Sequence, residues 1–180
     1  MFPKTIKTIG DQLDAEYGDR VDGRYAYPWR VYAEDMGNIP ARDYGTPDPL
    51  GGTDCAHPPI GGADNSNSAT AGDGYATRHN PFIYFHSVID DHELCNERVV
   101  PLGTVTVGHN GAPDTFAGHL AEDLEHKKTT PAFAFVVPDL CNDGHDARCA
   151  PAAIGGTATE AAPRAGWRPP TSGSSAGSRC

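Results

Sequence analysis

Apolar residues recur along the first seventeen positions in a helical rhythm. Ile6, Ile9, Leu13 and Tyr17 stand three and four apart, Thr8 precedes Asp11 by three in a capping-like arrangement, and Gly18 follows as a stop. The spacing predicts an amphipathic helix over 5–17. The rhythm then changes to period two, with Trp29, Val31 and Ala33 alternating with Arg30, Tyr32 and Glu34, which predicts a short strand. From Gly37 to Gly74 large apolar residues almost vanish among Gly, Pro, Asp, Asn, Ser and Thr. That stretch is expected to be a long excursion outside the core, of the kind that serves as a lid or binding segment.

The apolar aromatic run Phe82 to Ile89 is compatible with a short helix or a buried strand, and periodicity does not choose between them. Val99 to Val107 shows β-branched alternation and is expected to be a strand leading into the loop Gly108-His109-Asn110-Gly111. Phe116, Leu120 and Leu124 then sit four apart, with Asp114 as the expected N-cap and Lys127 and Lys128 suited to the negative end of the dipole. Pro131 breaks this helix, and Ala132 to Val137 reads as a buried strand. Helix, short connection, strand and polar loop in that order are the grammar of an α/β sheet.

The loop after that strand carries the densest chemistry. Cys141-Asn142-Asp143-Gly144-His145-Asp146 offers an imidazole, an amide and two carboxylates at a strand end, where ligands bind in open α/β sheets. A second loop, Arg78-His79-Asn80-Pro81, repeats the theme before Phe82-Ile83-Tyr84-Phe85. These stretches, with Cys95, Arg98 to Leu102, Pro131 to Val137, Thr8 to Leu13 and Tyr32 to Met36, occur in an order that resembles the bacterial phosphoesterase family of secreted acid phosphatases and phospholipases C. The likeness spans about Thr5 to Cys149. One departure is Asp139, which stands where the family's Asn is expected.

The resemblance implies an alkaline-phosphatase-like three-layer α/β fold, present here as its central part (1–149) and truncated at both ends. It implies phosphomonoester hydrolysis, or a phospholipase C-type phosphodiester cleavage close to it in chemistry. It places both His loops at the phosphate pocket, with His145 as leaving-group acid or phosphate donor and His79 as its partner. Imidazoles suit either task because they titrate near neutrality. Arg78 and Asn80 are candidate phosphate contacts, and Asp143 or Asp146 candidates to orient an imidazole, although Asn142-Asp143-Gly144 is also ordinary turn chemistry. In such enzymes the hydroxyl nucleophile and most ligands of any divalent metal lie outside the matched segment, so no metal ligand is assigned here and little turnover is expected of the chain as it stands.

Composition narrows the classes. A formal charge of −10 without a Lys/Arg cluster argues against nucleic-acid binding and against docking on anionic lipid. No stretch approaches the roughly 20 apolar residues a transmembrane helix needs, and Met1-Phe2-Pro3-Lys4 does not begin a secretory signal. The five cysteines, at 55, 95, 141, 149 and 180, lack C-x-x-C spacing and fit disulfides plus one leftover thiol. The expected pairs are Cys55 with Cys95 and Cys141 with Cys149, which would make the mature relatives exported, secreted or periplasmic; unpaired buried thiols are the alternative.

The remaining histidines, His119 and His126 among them, are expected to be structural or solvent-facing. Asp90-Asp91-His92-Glu93 reads as an exposed acidic turn, and Gly51-Gly52 and Gly61-Gly62 lack the Lys-Ser/Thr of a phosphate cradle. Beyond Cys149 the composition (150–180) reads as a disordered tail. Back-translated one base earlier, the end of this tail gives an amphipathic segment similar to one that relatives carry, so a frameshift is expected between about Cys149 and Gly166. A different class stands beside the enzyme: an extracellular, disulfide-stapled binding module that uses loop 37–74 as its contact surface.

Overall fold

The computed structural model describes residues 1–18, 27–39, 44–64, 73–106 and 112–144. It belongs to the general α/β class expected, built on a three-stranded parallel sheet. β1 (Trp29–Ala33) is central, with β4 (Val99–Pro101) on one side and β7 (Phe133–Val137) on the other. Two antiparallel ribbons accompany it: β2 (Tyr44–Pro47) with β3 (Thr53–His57), and β5 (Thr104–Thr106) with β6 (Thr115–Ala117). Among the described residues no helix is long and apolar enough to cross a membrane.

Helix α1 (Ile9–Tyr17) begins as the sequence implies. Thr8 and Asp11 form a reciprocal capping box, each side chain bonding to the other's backbone N–H. The helix lies on one sheet face because Trp29 Nε1 donates to Asp14 Oδ2 at 2.7 Å and the indole covers Gly10. Trp29 then stacks on Phe82 with centroids 4.9 Å apart, and Phe82 meets Phe135 edge-on at 5.6 Å. Val31, Ile83, Val88, Val99 and Val137 complete this core. Tyr32, Val100, Leu102 and Leu120 form a smaller cluster on the opposite face, under α4 (His119–Glu125).

Some open readings are decided and others are corrected. The run from Phe82 resolves as a 3-10 turn over Pro81–Tyr84 and a one-turn helix α2 (His86–Ile89), followed by α3 (His92–Arg98). The acidic turn caps α3, since Asp91 accepts from Leu94 N. The expected strand 99–107 divides at Leu102-Gly103 into β4 and β5. Phe116 lies in β6 and is half exposed, and α4 starts only at His119. Gly118, at φ +103, lies so close to Gly103 that a Cβ would sit 2.5 Å from its Cα, and this close crossing stops a helix from running through. At the far end Thr129 and Thr130 hydroxyls donate to Asp123 O, doing the work expected of the lysines.

β7 is not fully buried. Among the described residues it pairs only with β1, and Val136 is 48% exposed. The 37–74 excursion, for its part, does reach the core: Thr53, Asp54, Cys55 and Ala56 of β3 are all buried. A covalent staple replaces large apolar side chains there, for Cys55 is bonded to Cys95 across 40 residues of sequence, as expected. In the chain-entropy view such a crosslink is worth about 4 kcal/mol. Cys141 is also disulfide-bonded, while its expected partner Cys149 lies outside the described residues, as does the expected frameshifted tail.

Gly10 provides a test of the α1 packing. An alanine Cβ would sit 2.6 Å from the indole, so Gly10→Ala is expected to destabilise the protein by about 1–3 kcal/mol through overpacking, although alanine is worth about 1 kcal/mol in helix propensity. Urea unfolding followed by tryptophan fluorescence measures this; a stabilised variant would refute the packing.

Candidate functional site

The carboxyl ends of β1 and β7 lie side by side, and the residues that follow them are acidic. Glu34 N donates to Val137 O at 2.9 Å, extending the pairing one residue past β1. Its carboxylate then turns to the second strand end: Oε2 accepts from Asp139 N at 3.0 Å and Oε1 from Asn142 Nδ2 at 2.8 Å. Asp35, in the left-handed region at φ 56, accepts from Gly74 N at 3.1 Å. Gly74 O in turn accepts from Leu140 N at 2.8 Å, and a Cβ on Gly74 would meet the Asp139 side chain at 2.6 Å. The 73–79 segment, the 34–36 turn and the 138–144 loop are thus pinned together, and only glycine fits where they meet.

Asp139 is the hub. Its Oδ1 accepts from Cys141 N at 2.7 Å and Asn142 N at 2.8 Å, folding the loop back on itself. Burial, then the nearby carboxylates of Glu34 and Asp35, push its carboxyl up to about 7, and a side-chain hydrogen bond joins it to Asp35. Burial likewise raises Glu34, with Asp35 adding to it. A protonated Asp139 offers one acceptor and one donor, which is what the amide of an Asn would offer. An Asn at this position would therefore make much the same bonds.

His79 closes the 3-10 turn Thr77–His79, five residues beyond Gly74, and is partly buried. Arg78 is exposed, with its backbone N–H and guanidinium both near Asp64 Oδ2, at 3.3 and 3.8 Å. Asn80 is fully buried; its Nδ2 donates to Tyr75 OH at 3.2 Å, and Tyr75 OH donates to Ala56 O. That is a core bond tying the loop to β3. Asp143 is partly buried, and its N–H donates to Asp139 O at 2.9 Å. His145 and Asp146 lie outside the described residues.

Beyond this site lies a cluster that sequence reading missed. His119 Nε2 lies 2.7 Å from Asp48 Oδ2, and Asp48 is hydrogen-bonded to Asp54. On the other side of the ring, His119 Nδ1 is 3.5 Å from Arg30 Nη2. Arg30 belongs to β1, where Nη1 pairs with Asp123 Oδ2 at 2.7 Å, Nε donates to Glu97 O at 3.0 Å and Tyr27 supplies a ring face at 4.6 Å. Tyr32 OH donates to the same Asp123 oxygen; burial, and then that carboxylate, raise its phenol far above the usual range. Burial opposes ionisation of Asp48, but bonds from His119 and Leu50 N outweigh it and hold Asp48 low. Burial and then Asp48 push Asp54 up to about 7. His119 and Asp123 stand one helical turn apart, the only sequence sign of a shared face. Nothing in the chain pattern announces Asp48 and Asp54, which arrive through a hairpin.

Compared with protein-family models, with curated proteins and with solved structures, the chain gives no match.

The proton on Asp139 makes a pH test. Its folded value of about 7 lies above the ordinary 3.8, so the folded chain binds the proton more tightly. The stability it contributes is fully present below about pH 4 and is lost as pH rises toward 7. Asp139→Asn keeps the acceptor and supplies a permanent donor. It is expected to match the parent near pH 4 and to exceed it by roughly 1–3 kcal/mol near pH 8 in urea titrations. A variant less stable at both pH values would exclude the shared proton.

Proposed function

We propose that the chain carries the central part of a phosphoric-ester hydrolase of the acid phosphatase type, with phospholipase C-type cleavage of phosphodiesters as the neighbouring chemistry. On this reading the fold is the central part of an alkaline-phosphatase-like three-layer α/β domain, and the relatives work outside the cytoplasm. The reading rests on one observation: the His79-bearing segment and the 138–144 loop meet through Gly74 at the carboxyl ends of parallel β1 and β7. Ligands bind at such strand ends, and these are the two loops that carry the resemblance.

The chemistry is consistent with work in acid. A phosphate ester brings negative charge to a site that already holds Glu34, Asp35 and Asp139. Both Glu34 and Asp139 hold protons more tightly than an ordinary carboxyl, so acid removes the repulsion. Acid also charges imidazoles, which can then donate to phosphoryl oxygens or to a leaving alkoxide. His79 and His145 take those roles on this reading. A hydroxyl nucleophile and the divalent metal of relatives would come from segments flanking the matched region.

The test uses nitrophenyl phosphate. The 180-residue chain is expected to release little nitrophenol, whereas a chain extended with the flanking coding segments in frame is expected to turn over in acid. His79→Ala in the extended chain is expected to lower kcat by about 100-fold or more. An extended, folded chain that remains inert yet retains a ligand through its 37–74 segment would favour the binding module instead.

A further inference from the structure

Three potential ligand atoms, one each from Asp48, Asp54 and His119, lie within 4.8 Å of one another. They come from three places: the turn after β2, strand β3 and the first residue of α4. The Asp48 side chain is 2% exposed and that of His119 17%. Asp54 as a residue is 9% exposed, and its Oδ1 is buried with no hydrogen-bond partner among the described residues. A buried carboxylate oxygen left without a donor costs about 1–3 kcal/mol or more unless something fills the gap.

Charge points to what fills it. Three carboxylates, those of Asp48, Asp54 and Asp123, face a single guanidinium, Arg30, which Asp123 already engages at 2.7 Å. With the carboxylates ionised the group is short of two positive charges, the number a divalent cation carries. One imidazole nitrogen with two carboxylate oxygens suits zinc better than calcium, which prefers all-oxygen shells. Three protein ligands also leave a fourth tetrahedral position for water.

We propose that Asp48, Asp54 and His119 form a divalent-cation site of the zinc class that clamps the β2–β3 hairpin onto α4. Ligation uses His119 Nε2, the nitrogen that faces Asp48. The ring proton then sits on Nδ1, so Arg30 gives up its 3.5 Å contact there and keeps its bonds to Asp123 and Glu97 O. The hairpin thereby gains a second anchor beside the Cys55–Cys95 bond. This site does not depend on the phosphoesterase reading.

The experiment titrates zinc chloride into the chelator-treated full chain by calorimetry at neutral pH, alongside thermal melts with zinc and with calcium. One saturable zinc equivalent that raises Tm, with calcium weak, is expected. His119→Gln and Asp54→Asn should each lose that equivalent or weaken it roughly tenfold or more, while Asp139→Asn retains it. Should Asp54→Asn fail to fold by circular dichroism, His119→Gln alone decides. Absence of saturable zinc binding, or unchanged affinity in folded His119→Gln, overturns the proposal.

Discussion

Every residue of β1 is buried, including a guanidinium, and most of the molecule is arranged to make that possible. Trp29, Val31 and Ala33 need an apolar layer on one face, which Phe82, Ile83, Val88 and Val99 provide. Arg30 needs compensation on the other. A buried charge without a partner costs several kcal/mol, so Asp123, Glu97 O and the Tyr27 ring are conditions of the fold and not additions to it. Because Asp123 lies on α4, the ion pair fixes that helix against the sheet and carries His119 with it. One buried cation therefore determines where the second polar cluster forms.

The same strand delivers Glu34 and Asp35 to the carboxyl end of the sheet. Two carboxyl pairs result, Asp35 with Asp139 and Asp48 with Asp54, each joined by a hydrogen bond that needs a proton. One backbone bond joins the segments that carry them, since Met36 O, next to Asp35, accepts from Thr53 N, next to Asp54. In an acidic chain this arrangement favours mild acid. Asp11 and Asp48 are held below the ordinary carboxyl value by their hydrogen bonds, whereas the two shared protons leave as pH rises toward 7.

Elements with strong local signals were legible in the sequence. The α1 capping box, the central strand from Trp29 and the strand before the polar loop follow from spacing, and the Cys55–Cys95 bond was anticipated. What failed was decided by distant contacts. Phe116 has helical spacing to Leu120 and Leu124, yet Thr104–Thr106 supplies a strand partner and the Gly103–Gly118 crossing forbids the earlier start. The polar excursion looked peripheral because its buried residues are small or charged, and they are drawn inward by the disulfide, the Tyr75–Ala56 and Thr53–Met36 bonds and the His119–Asp48 contact. At the candidate site, the segments around His79 and after β7 stood out by composition, and the structure joins them through Gly74. Asn80 turned out to be fully buried and bonded to Tyr75, and the role of Glu34 and Asp35 became visible only when the two strand ends were adjacent.

We propose that His79 and His145 contact the same phosphate ion beside the carboxyl ends of β1 and β7. Nuclear magnetic resonance of the histidine rings during titration with inorganic phosphate in mild acid tests this most directly. The ring signals of His79 and His145 should move together with a single affinity, while that of exposed His126 stays still. Phosphate that leaves both rings unmoved, or shifts them with unrelated affinities, would contradict the account.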